Sequence, residues 1–491
     1  MVFCGKPSRG CQRCRQRKIR CDVTKPTCLK CQKAREPCTY RNFDEAIFRD
    51  QTREVVRKFK LPPEDEHCSA ESRRSLAMVS SSMTTSTTST PDIFYSTLSP
   101  SVYDIGANFF FDKFLSEKGT FFGDYSSWLG QLYTADTSSG GLIRAVIEAV
   151  GLSALFNVSL DLGIQIKSSE QYSKTLAALK FALDDPERAK SDDTLLAITL
   201  LILFELLNFR TWQRHRYWEA HVNAALTLLE LRGQDQFQRQ RGGQLYIQVR
   251  SQILLVCMQK RVAVPRALVQ TTCDFQGSLM RQLWQNSRVA SPSSITEICF
   301  RVVNLKAALH RQEEGDDTKM NGKILLNMAV DIDNDLESWA AGLPDSWRYS
   351  VVHGPARVAE ELLQGVRHVY PTLWIAEAWN NWRILRLLVS QMRLEISVDP
   401  QEIATSQNMA RRLCTDVCIS VSNFSGSPSY ISLIQPLYLV ALETLVPYSL
   451  RVFAIEQLRH IDASLGVRQA RLLADTAENN LFSALPESGV I

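Results

Sequence analysis

Residues 10–38 read GCQRCRQRKIRCDVTKPTCLKCQKAREPC. Six cysteines and nine Lys/Arg share this stretch with two acids, Asp22 and Glu36, and no histidine. The spacings are Cys11-x2-Cys14-x6-Cys21, a six-residue gap, then Cys28-x2-Cys31-x6-Cys38, so the second half repeats the first. Such a repeat implies two similar half-sites facing each other. Zinc takes four tetrahedral ligands, and two ions need eight coordination positions. Six thiolates fill eight positions when two of them bridge both metals. The pattern therefore fits one binuclear Zn2+ cluster better than separate sites, and the first cysteine of each half, Cys11 and Cys28, is the natural bridging pair.

The alternatives fail on specifics. A disulfide knot needs an oxidising compartment, and MVFCGKPSRGCQ has no apolar run of a secretory signal. A RING or classical finger needs histidine, and the first in this chain is His67. A copper–thiolate cluster has no reason to be so basic. Cys4 lies outside the repeat, and Cys68, Cys257, Cys273, Cys299, Cys414 and Cys418 are scattered. Cys414 and Cys418 stand four apart in a helical pattern, but two ligands make a poor metal site, so they read as core.

Charge follows the same division. Residues 1–41 hold 12 Lys/Arg against two acids, a surplus of ten, so the remainder of this +4 chain sums to minus six. Six thiolates and two Zn2+ remove two of those ten, which leaves a strongly basic, metal-held module for a polyanion on a mildly acidic body. At about 28 residues the module cannot bury a core of its own and should unfold without metal.

The pattern C-x2-C-R-x-R-K-x-R-C-D…K-P-T-C-x2-C-x6-C resembles the DNA-binding domain of fungal binuclear zinc-cluster transcription factors, across residues 11–38 without departure. The resemblance maps the family's DNA-reading block onto Arg15, Arg17, Lys18 and Arg20, with Arg13 beside it. It implies that a short helix enters the major groove and that Lys18 donates to guanine in a CGG/CCG triplet. Arg15, Arg17 and Arg20 would then bind phosphates, joined by Lys30, Lys33 and Arg35 from the second half. It also suggests a tight turn at Lys25-Pro26.

Residues 43–60 carry Phe43, Ile47, Val55, Val56 and Phe59 at helical spacing, but no sustained heptad repeat. Family members often place a dimerising coiled coil here, so this chain departs from that habit. The DNA-binding fragment is expected to be monomeric. Arg57-Lys58-x-Lys60 reads equally as part of a nuclear import signal or as an exposed helix end. LPPEDE and SSSMTTSTTSTPD within 61–104 cannot bury enough apolar surface to order themselves and read as a linker.

From 105 onward helical periodicity recurs near 140–158, 169–184, 192–209, 213–232, 243–261, 293–311, 321–341, 371–395, 402–424, 434–457 and 467–483, with no convincing period-2 strand. The fold class is all-α: a small N-terminal binuclear zinc cluster of two short helices, a disordered linker, and a large multi-helical regulatory domain. The expected boundaries are 1–41 (cluster), 42–62 (amphipathic arm), 63–104 (linker) and 105–491 (helical domain). The apolar run TLLAITLLILFELLNF at 194–209 is short of the ~20 residues of a membrane span and contains Glu205, so it reads as a core helix and no membrane partner is expected.

WEAHVNAALTLLELRG (218–233), DIDNDLESWAAGLPDSWRY (331–349) and PTLWIAEAWNNWRILRLL (371–388) resemble the fungal-specific transcription factor domain that accompanies this cluster. Arg232-Gly233 reads as a helix stop and Leu343-Pro344 as a break. Trp339, Trp347, Trp374, Trp379 and Trp382 read as core. Asp331, Asp333 and Asp335 resemble a calcium loop, but Leu336 stands where Gly is needed and Gly342 where Glu is needed, so they read as a capped, charged helix start. His215 and His221 are six apart and do not form a metal pair. No catalytic motif is found, and an enzyme is not expected.

Together these readings describe a nuclear, zinc-dependent regulator of RNA polymerase II transcription, with double-stranded DNA and transcription machinery or co-regulators as partners. Related proteins control nutrient use, stress and secondary-metabolite gene clusters. The rival is a zinc-stabilised nuclear scaffold that never reads DNA; the basic block on the first helix separates the two.

Overall fold

The computed structural model describes residues 11, 13–14, 17, 19, 21–24, 26–38, 100–115, 126–136, 141–278, 294–313, 321–354, 363 and 365–483. The chain divides into two compact units, 1–95 and 96–491. The arm at 42–62 and the Ser/Thr tract lie outside the described residues.

In the first unit Arg13 and Cys14 are helical, and the Arg17 amide returns to the Arg13 carbonyl at 3.0 Å. One described helix follows, α1 (Leu29–Lys33), with Cys28 at its N-cap.

The second unit is built from α2 (Val102–Phe114), α3 (Ser126–Ala135), α4 (Leu142–Ser159), α5 (Leu162–Leu183), α6 (Pro186–Ala189), α7 (Asp192–Leu207), α8 (His215–Arg232), α9 (Gln240–Lys260) and α10 (Arg266–Gln276). It continues with α11 (Ser294–Glu313), α12 (Gly322–Ala341), α13 (Leu373–Ile396), α14 (Pro400–Ser420), α15 (Ile434–Leu442), α16 (Tyr448–Leu465) and α17 (Arg468–Ser483). Local chemistry sets many of the ends. Ser191 accepts from the Thr194 amide and puts Asp192 and Asp193 in the first turn of α7, where the helix dipole favours acids. Asp399-Pro400 opens α14 with a cap and a preset φ. Gly233 (φ 57°) and Gly466 (φ 72°) close α8 and α16 in the left-handed region that glycine tolerates.

One apolar core runs through this unit from Ala107 to Leu481. Helix α7 is buried from Thr194 to Leu207 without a break. Helix α4 packs against α2, α5 and α7. It is long and apolar enough by composition to cross a membrane, yet most of it is interior to the bundle. It meets α2 so closely that a Cβ on Gly151 would lie 1.9 Å from the Gly106 carbonyl oxygen.

Several features depart from expectation: α2, which starts at Val102, α3 and α10 lie outside all of the expected periodic segments. The segment 434–457 is two helices, α15 and α16, because Glu443–Pro447 breaks the run. An antiparallel hairpin, β1 (Ser350–His353) with β2 (Val366–Val369), sits in the otherwise helical unit, with Val351 opposite His368. Four-residue strands are too short for alternation to show in the sequence. Finally, the three aspartates lie inside α12, whose N-cap is Asn321, so 331–335 is not a helix start.

Those positions have structural uses. Asp333 accepts from Arg386 at 2.7 and 3.1 Å and from Arg393 at 2.9 Å, tying α12 to α13. Glu205 in α7 accepts from the Tyr172 hydroxyl at 2.9 Å, pairs with Arg214 at 3.4 Å and lies 3.8 Å from His221. Burial raises its pKa, but the neighbouring His221 ring, the hydrogen bond from Tyr172 and the Arg214 charge outweigh that and hold the carboxyl below its ordinary value. Cys414 and Cys418 are buried, as are Trp339, Trp347 and Trp379. Trp374 is not core: it is 38% exposed and meets Trp347 edge-on.

Candidate metal centre and nucleic-acid interface

The fold of residues 11–38 brings the six cysteines together in two overlapping groups. Cys11, Cys14, Cys21 and Cys28 form one, and Cys11, Cys28, Cys31 and Cys38 the other, with the sulfurs of each group within 4.8 Å of one another. Cys11 and Cys28 belong to both. Among the described residues these are the groups of His, Cys, Asp or Glu close enough to hold a metal ion.

The spacing tests the fit. Sulfurs at tetrahedral Zn–S distances of about 2.3 Å lie about 3.8 Å apart. Cys11 and Cys28 Sγ are 3.8 Å apart, Cys14 and Cys28 3.7 Å, and Cys11 and Cys31 3.5 Å. A disulfide needs about 2.05 Å. Cys11, Cys14, Cys28 and Cys31 are fully buried. Burial, reinforced by hydrogen bonds that the Cys31 thiol gives to Cys28 and Cys11, pushes the Cys31 thiol up to about 12. Burial likewise pushes Cys14 far above the ordinary thiol range. Burial raises Cys11 as well, and of the four only Cys28 is lowered, its burial outweighed by hydrogen bonds from Cys31, Cys14 and Cys21. The thiols therefore cannot all ionise among themselves, whereas a divalent cation deprotonates coordinating thiols outright and neutralises the group. The donors fit zinc.

Backbone geometry repeats with the cysteines. The Cys11 amide donates to Cys21 Sγ at 3.5 Å, and the Cys28 amide donates to Cys38 Sγ at 3.3 Å. The two half-sites are thus held by equivalent N–H···S bonds, as a sequence repeat should produce. The halves are braced by Asp22, whose Oδ2 accepts from the Thr24 hydroxyl and from the Leu29 amide at 3.1 Å, at the first turn of α1. Those bonds lower the Asp22 carboxyl to about 2. This role was missed in the sequence, where its only signal was an acid directly after Cys21 in an otherwise basic stretch.

The basic residues distribute unevenly. Arg17, Lys30, Lys33 and Arg35 are exposed, with Lys30 and Lys33 on α1. Arg13 is half-buried, and its guanidinium donates across to the Lys30 carbonyl at 3.5 Å and lies 3.9 Å from Cys31 Sγ. Arg15, Lys18, Arg20 and Lys25 lie outside the described residues. Ile19 and Leu29 are exposed apolar side chains on the same small unit.

Comparison with known proteins now assigns the two units. Residues 9–46 match the fungal Zn(2)-Cys(6) binuclear cluster domain. Residues 149–465 match the fungal specific transcription factor domain. That second match spans more than half of the chain, which belongs to the fungal transcription factors built from these two domains. The cluster domain binds two zinc ions, and both domains are those of transcription factors rather than enzymes. No curated protein and no solved structure matches the chain.

Proposed function

We propose that this protein is a nuclear, sequence-specific, zinc-dependent regulator of RNA polymerase II transcription. Each four-thiol group holds one zinc, with Cys11 and Cys28 bridging, Cys14 and Cys21 completing one site, and Cys31 and Cys38 the other. Lys18 reads a guanine in a CGG/CCG triplet while Arg15, Arg17, Arg20, Lys30, Lys33 and Arg35 hold phosphates. The cluster module spans about residues 1–41, and the helical domain from about 105 recruits or regulates through co-regulators. The observation that carries this reading is the sharing of Cys11 and Cys28 by both thiol groups, on a module where Arg17, Lys30, Lys33 and Arg35 are all exposed.

The test is gel-shift binding of the full chain to duplexes with and without a CGG triplet, before and after chelation. The expected result is triplet-dependent binding, lost on chelation and restored by zinc. Binding that ignores the triplet, or that survives removal of both zinc ions, would favour the scaffold reading. Titrating duplexes with one or two triplets adds the assembly state: a module monomeric on its own shows no dependence on one fixed triplet spacing.

A further inference from the structure

The chain outside the basic module is acidic overall, with residues 42–491 summing to minus six. One corner of the helical unit is the opposite. From the α7–α8 connection into the first turn of α8 the sequence reads FRTWQRHRYW over 209–218, with three arginines and no acid. Trp212 is 50% exposed and Tyr217 41% exposed. The Trp212 ring meets Phe209 edge-on at 6.0 Å and is otherwise presented outward.

The arginines are held rather than free. Arg214 and Arg216 converge on the Tyr217 ring, at 5.5 and 4.8 Å from its centroid, and Arg216 also donates to the Tyr217 hydroxyl at 2.9 Å. Arg210 lies over Phe156 at 5.3 Å and donates to Asn157 Oδ1 at 3.0 Å. Arg468, at the start of α17, donates to the backbone carbonyl of the same asparagine. Glu205 is taken by Arg214 and Asp462 by Arg468. Among the described residues, neither Arg210 nor Arg216 has a carboxylate at ion-pair distance. Burial and the charge of Arg468 lower the Arg210 pKa.

A solvated surface charge does not need a ring or an amide to hold it. Guanidiniums fixed in advance lose little further freedom when a partner arrives. Exposed Trp, Tyr and Arg are also the residue types that dominate protein interfaces energetically. Unmatched positive charge then selects the sign of the partner and steers its approach.

We propose that Arg210, Trp212, Arg214, Arg216 and Tyr217 form a docking surface for an acidic segment of a partner protein, one that carries aromatic or leucine side chains between its carboxylates. The carboxylates pair with Arg210 and Arg216, and the apolar side chains cover Trp212 and Tyr217. The surface lies outside the cluster module and does not depend on which DNA sequence that module reads.

The experiment uses the full chain, with the cluster module saturated by duplex DNA so that its own charge does not capture the probe. Fluorescence anisotropy follows a labelled synthetic peptide in which Asp/Glu alternate with Phe/Leu. Beside it run the same peptide with Asn/Gln replacing the acids and a single-stranded oligonucleotide of equal charge. The expected result is binding of the acidic peptide alone, weakened by salt and reduced at least tenfold by Trp212→Ala and by Arg210→Gln with Arg216→Gln. Should the double variant melt lower, Arg216→Gln alone, whose contacts are confined to Tyr217, still reduces binding several-fold. No binding of the acidic peptide, equal binding of the neutral one, unchanged affinity in these variants, or preference for the oligonucleotide would overturn the proposal.

Discussion

Among the described residues of the first unit the fully buried side chains are Cys11, Cys14, Cys28 and Cys31, whereas in the second they include Trp218, Tyr246, Phe110 and Phe114. Among its described residues the buried cluster of the first unit consists of cysteines, and Ile19, Val23 and Leu29 stay exposed there. The helical unit instead has one apolar core from Ala107 to Leu481. Helical backbone is therefore stabilised by coordination in one unit and by burial in the other. Each should answer to a different perturbation.

The largest expected effect is on the first unit. Structural zinc contributes about 10–16 kcal/mol of apparent folding free energy in small zinc domains. Chelation should abolish the fold of residues 11–38 while the melting transition of the helical unit stays put, measured by circular dichroism with limited proteolysis. Native mass spectrometry sharpens the comparison: Cys28→Ser should lose both zinc ions, whereas Cys38→Ser should retain one. A helical transition that falls with chelation would break the comparison.

The reciprocal perturbation is a cavity in the helical core. Trp218 is fully buried, and truncating a buried tryptophan to alanine costs about 3–5 kcal/mol. Trp218→Ala should lower the helical unit's melting temperature with two zinc ions still bound and triplet affinity unchanged. Zinc content that drops in this variant would show that the units share stability.

A smaller effect separates roles within the basic module. Lys18→Ala should lose about 1–3 kcal/mol on triplet-bearing duplexes with less change on scrambled ones. Arg17→Ala should weaken all duplexes alike and reduce the salt slope by about one. Equal losses of Lys18→Ala on both duplexes would refute its assignment to guanine.

The smallest effect concerns protons in the helical unit. Burial raises the Glu377 carboxyl to about 7, against a lowering hydrogen bond from Ser429. A folded pKa above the unfolded value means that its stabilising share is complete below the ordinary carboxylate pKa of 4.5 and is lost as pH rises through about 7. Glu377→Gln should therefore flatten the fall in melting temperature between pH 5 and pH 8. An unchanged slope would show that Glu377 titrates as an ordinary carboxylate in the folded state.

Most of the helical segments were legible because periodicity and stops are local properties of the chain. Ser191 before Asp192 and Asp193, Gly233 after Arg232 and Pro344 after Leu343 mark α7, α8 and α12 to within a residue or two. The cysteine repeat was legible for the same reason, since ligand number and spacing are counted along the sequence. What misled was local likeness without local cause. The run Asp331, Asp333, Asp335 looks like a helix start, but Asp333 is an interior residue whose partners, Arg386 and Arg393, stand 53 and 60 positions away. Trp374 shares its motif with buried tryptophans, yet its place at the start of α13 leaves it half outside.

By itself, then, the sequence determined the metal chemistry, the basic character of the module and the helical class of the body, because each follows from residue types at fixed spacing. Tertiary structure alone decided that Arg13 turns inward to Lys30 and Cys31, that Asp22 braces α1, and that Ser350–His353 pairs with Val366–Val369 as strands. It also decided that Glu205, inside an apolar helix, finds Tyr172 and Arg214 from outside it, and that Arg210, Trp212 and Arg216 are left exposed. Each of these depends on groups brought together by chain closure over distances that no local pattern encodes, and the free energy of such contacts exists only once the rest of the chain has placed both partners.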